Sequence, residues 1–188
     1  ELLTTDRDAY GIYVQSPFPK ENRRILIGSD VSSRYTRRNR AEYRKIAGYI
    51  ARCVWQRQGN YMVFFPSYRL MEDVLQVYEE EFSVDWVRCV CQTPDMTEQE
   101  REGFLEEFQE REGTLVGFCV LGGIFSEGVD LTGESLIGAV IVGTGLPQIG
   151  SQREILKEYY DKKNHCGFDY AYRYPGMNKV LQAAGRVI

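Results

Sequence analysis

No glycine–lysine pair occurs anywhere in the 188 residues, so the loop that cradles nucleotide phosphates in P-loop proteins is missing. The nearest substitute, Gly143-Thr144-Gly145, lacks the third glycine of a dinucleotide fingerprint. There is no Gly-x-Ser-x-Gly elbow, and the one histidine, His165, stands in a polar stretch without a triad partner, which disfavours a hydrolase complete in itself. The five cysteines, Cys53, Cys89, Cys91, Cys119 and Cys166, include no CxxC pair. That spacing speaks against a zinc or iron–sulfur site and fits the reduced thiols of a cytoplasmic protein, with Cys119, inside an apolar run, expected in the core. The longest apolar stretch, residues 136–142, falls far short of the ~20 residues of a membrane helix, so no membrane partner is expected. The chain opens at Glu1 and stops at Ile188 within a helical pattern, and the expectation is a single domain, residues 1–188, cut from a longer protein.

Charge is present in both signs and unevenly placed around a net of −4. Residues 20–45 carry nine Lys or Arg against three acids, whereas residues 95–112 carry eight acids against two arginines. Such a dipole serves either two different partners or two solvated helix faces. Within the basic segment, Arg34, Arg37, Arg38 and Arg40 are candidates for sequence-independent attraction of phosphates.

Apolar periodicity alternates along the chain. Residues 11–15 and 24–27 read as short strands, the first closed by Ser16-Pro17-Phe18-Pro19. Between residues 41 and 56, Tyr43, Ile46, Ala47, Ile50 and Val54 recur at helical spacing. Residues 61–65 are continuously apolar and end at Pro66, the pattern of a strand covered on both faces. The alternation then repeats: helix over 70–82, strand over 86–91, and a helix running from the Thr97-x-x-Glu100 capping box to about residue 110. Strands over 114–121 and 136–142 and a helix over 152–162 complete it. This order implies an α/β fold with a parallel sheet, in which ligands gather where the strands end.

Two stretches stand out at such ends. Residues 122–131, Gly-Gly-Ile-Phe-Ser-Glu-Gly-Val-Asp-Leu, combine glycines that open the backbone to a ligand with the side chains of Ser126, Glu127 and Asp130; the bland alternative is a glycine-rich turn. Residues 182–188, Gln-Ala-Ala-Gly-Arg-Val-Ile, read as a helix whose buried stripe is Met177, Val180, Leu181, Ala184 and Ile188, leaving Gln182 and Arg186 together on another face. Gly185 lowers helix propensity there, a cost offset either by function or by close packing.

These residues carry a resemblance. Gly-x-Phe-Ser-Glu-Gly-Val-Asp-Leu is similar to motif V, and Gln-Ala-Ala-Gly-Arg-Val-Ile to the start of motif VI, of the XPD/DinG family of superfamily 2 DNA helicases. Residues 61–74, with Phe64-Phe65-Pro66-Ser67-Tyr68 at the centre, resemble motif IV; Ser16-Pro17-Phe18 resembles the entry to the domain, and residues 139–156 the stretch that follows motif V. The ordered likeness identifies the chain as the second, C-terminal motor domain, ending within motif VI.

The resemblance implies a RecA-like three-layer sandwich with a mostly parallel central sheet. In that family ATP and Mg2+ are held mainly by the first RecA-like domain, which is the implied partner in the same polypeptide; the second domain closes over the triphosphate and lines part of a single-stranded DNA track. By this likeness Gln182 and Arg186 are the catalytic candidates, and Gly128, Asp130, Gln182, Gly185 and Arg186 face the nucleotide. Asp130 is expected near the ribose or the motif VI arginine, and a further arginine of the family pattern, just beyond Ile188, competes with Arg186 for the finger role. Ser67, Tyr68, Arg69, Ser126 and Glu127 are expected at the DNA, although Tyr68 is also placed to pack at a helix start. The family's iron–sulfur cluster belongs to its first domain, so no metal is expected here; the relatives move 5′ to 3′, and DNA repair is the family-level expectation. Two rivals stay open: a RecA-like module that binds nucleic acid or protein without a motor cycle, and a self-contained α/β enzyme for a nucleotide or sugar.

Overall fold

The computed structural model describes residues 14–15, 18–109, 113–125, 131 and 133–187. Four strands, β1 (Asn60–Phe65), β2 (Val87–Cys91), β3 (Thr114–Val120) and β4 (Gly138–Ile141), form one sheet in the order β2-β3-β1-β4 with every pairing parallel. Five α-helices accompany them: α1 (Arg40–Val54), α2 (Tyr68–Glu81), α3 (Glu98–Glu106), α4 (Ser151–Asn164) and α5 (Tyr174–Ala184).

All six residues of β1 are buried, as its unbroken apolar run requires. Because successive side chains alternate, Tyr61, Val63 and Phe65 enter the core beneath α1 and α2, while Met62 and Phe64 enter a second core with Phe104, Phe108 and Ala183 from the α3 and α5 side. The sheet is therefore the middle of three layers, the α/β arrangement expected of a RecA-like fold. Helix α1 buries the expected Ile46, Ala47, Ile50 and Val54, and Asn39 caps it by accepting from the Glu42 amide at 3.1 Å. Helix α3 opens with the expected capping box: the Thr97 hydroxyl accepts from the Glu100 amide and the Glu100 carboxylate from the Thr97 amide. Cys119 lies fully buried in β3.

Chain order positions the loops. The β1–β2 connection, α2, lies on one face, whereas the β2–β3 connection, α3, travels back across the sheet and lies on the other, as right-handed crossovers demand. Neighbouring β1 and β3 thus send their chains to opposite faces, and the crevice between their ends is where a ligand fits an open α/β sheet.

Two expectations need correction. Residues 24–27 form no strand: Ile25, Leu26 and Ile27 are 70–88% exposed, and among the described residues no strand pairs with them. Of the expected strand over 11–15, residues 11–13 lie outside the described residues, as do Ser16 and Pro17; Val14 and Gln15 are exposed. The second correction concerns α5. Its inward residues are Gly176 and Ala183, continued by Val187, while Met177 (39%) and Leu181 (64%) face outward. The expected stripe is turned by one residue, about 100°.

Candidate functional site

The crevice between β1 and β3 is built from three strand ends. Pro66 closes β1, and Ser67 caps α2 by accepting from the Leu70 amide at 3.4 Å. Tyr68 is therefore the first helical residue, half-buried against the α1–α2 core, and Arg69 beside it is exposed. Both alternatives for Tyr68 meet here, since it packs at a helix start and also borders the crevice.

At the end of β2, Pro94 lacks the amide a longer strand needs, and the Gln92 side chain extends the ladder instead. Its backbone amide donates to the Phe118 carbonyl at 2.8 Å, its Oε1 accepts from the Val120 amide at 3.0 Å, and its Nε2 donates to Tyr68 Oη at 2.9 Å. Gln92 is 2% exposed. Burial pushes the Tyr68 phenol above its ordinary pKa, so the hydroxyl stays protonated and donates toward the Thr93 carbonyl at 3.5 Å.

The glycine loop after β3 is anchored on every side before it reaches residue 126. The Leu121 amide donates to the Phe65 carbonyl at 2.8 Å, Arg101 donates to the Ile124 carbonyl at 3.4 Å, and the Phe125 ring stacks on Phe104 at 4.2 Å. Gly122 adopts φ +71° with the Lys179 ammonium lying across it: a Cβ there would stand 3.1 Å from Nζ. Ser126, Glu127, Gly128 and Asp130 lie outside the described residues. Their flanks are placed, however. Phe125 and Leu131 pack in the same apolar cluster as Ala183 and Val187, so the glycine loop and the C-terminal helix converge on one spot.

Around that spot Gln182 is exposed and Arg186 half-buried. The α-helix ends at Ala184 and tightens into a 3-10 turn over Gly185–Val187, with the Gly185 amide bonding back to the Leu181 carbonyl. Gln182 is thus carried by the α-helix and Arg186 by the 3-10 turn that follows it. Gly185 is exposed, with open space where a Cβ would point, which removes close packing as its reason.

Arg37 pairs with Glu42 at 2.9 Å and Arg40 with Glu80 and Glu81 at 2.7 and 3.1 Å, while Arg38 lies over the Tyr35 ring. Burial pushes the thiols of Cys89 and Cys91 up to about 11, which leaves neither as a thiolate at neutral pH.

Sequence reasoning missed Gln92 and Lys179. A polar residue ending an apolar run two positions before a proline was the signal for the first; the spacing of Lys179 four residues before Ala183 was the signal for the second.

A family profile described as a helicase C-terminal domain matches residues 50–188. The chain belongs to the helicase C-terminal domain family. It is similar to a probable ATP-dependent helicase of Methanocaldococcus jannaschii, 28% identical over 155 residues that make up 79% of this chain and 23% of that protein. It is equally similar to the ATP-dependent DNA helicase XPD of Sulfolobus acidocaldarius, 28% identical over 173 residues, 86% of this chain and 28% of the relative. The chain thus spans about a quarter of the length of these relatives. Two solved structures, an XPD helicase and an XPD in its apo form, share the fold. The first has a TM-score of 0.65 at 24% identity over 85% of this chain and 28% of that one. The second has a TM-score of 0.64 at 23% identity over 84% of this chain and 31% of that one. Among the described residues of this helicase C-terminal domain, no helix is long and apolar enough to cross a membrane.

Proposed function

We propose that this domain is the second motor domain of an ATP-driven DNA helicase, closing a nucleotide site whose phosphate-cradling half lies in a first RecA-like domain of the same polypeptide. What carries the reading is α5. Small residues face inward, Gly176 against Thr144 and Leu146 and Ala183 in the core beside the sheet, while Met177, Leu181 and Gln182 are exposed, close along the chain to Arg186. Large apolar side chains turned away from the core mark a surface made for a partner, and here they adjoin the residues that match motif VI.

The donor set fits a triphosphate. Gln182 offers an amide, and Arg186 and Lys179 offer cations around a glycine loop that a bulkier backbone would close. ATP bound with Mg2+ supplies a phosphoryl group whose transfer is governed by positioning and charge stabilisation, and a guanidinium brought across a domain interface contributes about 10³-fold to such a step. In this scheme Arg186 stabilises charge, Gln182 orients, and Gly128, Asp130 and Gly185 line the nucleotide face. Ser67, Tyr68, Arg69, Ser126 and Glu127 line the single-stranded DNA track. The thiols suit a cytoplasmic enzyme, and a role in DNA repair follows the family.

The test is ATP hydrolysis by the purified 188-residue chain beside the full-length protein, each with and without single-stranded DNA. DNA-stimulated turnover by the full-length protein and none by the chain alone is expected. Sustained turnover by the chain alone would overturn the reading in favour of a self-contained enzyme.

A further inference from the structure

Gln92 makes three hydrogen bonds that join three separate segments of the chain. Its backbone amide holds the β2 terminus to β3, its side-chain oxygen holds the first amide beyond the last β2–β3 pairing, and its side-chain nitrogen holds the phenol of Tyr68 at the start of α2. The site is tightly fitted: a Cβ on Gly123 would come within 3.0 Å of Gln92 Nε2, so the glycine loop leaves room for this side chain and for little else. A side chain 2% exposed and bonded at both its amide oxygen and its amide nitrogen is held in one rotamer, and it fixes Tyr68 in one orientation.

We propose that Gln92 is a positioning residue for single-stranded nucleic acid: its amide locks the Tyr68 ring at the mouth of the crevice and ties it to the end of β3, from which the glycine loop departs. The inference rests on the reading of Tyr68 as part of the DNA track and goes beyond it by assigning the residue that sets the ring. A ring held in place loses little rotational freedom when a base stacks on it, whereas a ring free to turn loses affinity before it loses rate. Without the Gln92 amide, Tyr68 keeps its long bond to Thr93, and the half-buried Val120 amide loses its acceptor.

The experiment is steady-state ATP hydrolysis by the full-length protein as a function of oligothymidylate concentration, for Gln92→Ala, Tyr68→Phe, the double variant and Tyr68→Ala. In Gln92→Ala and in Tyr68→Phe the DNA concentration for half-maximal rate is expected to rise about tenfold, and the double variant is expected to be no worse than the more impaired single one. General misfolding would lower the maximal rate instead of shifting this concentration. Losses that multiply in the double variant, or a wild-type DNA requirement in Gln92→Ala, overturn the proposal. Should Gln92→Ala fail to fold, Tyr68→Phe decides, and its unchanged DNA requirement overturns the proposal equally. Tyr68→Ala separates the levels: a wild-type DNA requirement there defeats the DNA-track reading itself, while an impaired Tyr68→Ala beside a normal Gln92→Ala defeats only the role of Gln92.

Discussion

The ring of Phe108 packs against Gly117, so closely that a Cβ on the glycine would stand 2.6 Å from Cζ. Phe108 is fully buried and packs on Phe104, whose own ring stacks on Phe125 at the root of the glycine loop. One missing side chain in the middle of β3 therefore sets how near the α3 side can approach the sheet.

Gly117→Val is expected to destabilise the domain by about 1–3 kcal/mol, because the added side chain displaces the buried rings of Phe108 and Phe104. Thermal unfolding of the purified chain measures this, and an unchanged melting temperature would mean that the ring relocates freely.

Glu42 ties Ser32, ahead of α1, to the helix. Burial opposes its ionisation, but the Ser32 amide at 2.9 Å, Arg37 and Lys45 outweigh that and hold its carboxyl below the ordinary glutamate range. A depressed folded value gives stability that is present above the ordinary range and disappears as pH falls through the depressed value. Hydrogen exchange at the Ser32 amide, corrected for intrinsic rates, should stay protected through the ordinary glutamate range and open only below it. In Glu42→Gln the pH dependence should vanish, and opening at the ordinary glutamate range in the wild type would contradict the assignment.

Arg69 is exposed beside Tyr68 at the crevice mouth. In the full-length protein, Arg69→Ala should weaken single-strand binding and reduce the salt slope by about 1, as loss of one phosphate contact requires. Fluorescence anisotropy over a salt series reads both, and an unchanged slope returns Arg69 to the solvated surface.

Much of the fold is legible in the sequence wherever a residue's environment is made by the chain itself. The run Tyr61-Met62-Val63-Phe64-Phe65 announces a strand covered twice, and Thr97-x-x-Glu100 announces a helix start, because their causes are local. The α5 stripe misleads for a physical reason. Periodicity finds the bulky apolar residues, Met177 and Leu181, and assigns them to the core, whereas this helix seats its small residues inward and turns the bulky ones to the outside. Residues 24–27 mislead likewise, since the short apolar run Ile25-Leu26-Ile27 does not reveal whether a neighbouring strand exists. The position of Gln92 before Pro94 marks a strand end but not its role, which depends on Tyr68 and Val120, 24 and 28 residues away, meeting at one corner.

Whether this domain closes a shared nucleotide site is read most directly from the rate of ATP hydrolysis by the full-length protein carrying Gln182→Ala or Arg186→Ala, with thermal unfolding as the control for folding. Loss of about 10²- to 10³-fold in rate at an unchanged melting temperature is the expected result. Wild-type hydrolysis in both variants would contradict it and remove the C-terminal helix from the nucleotide face.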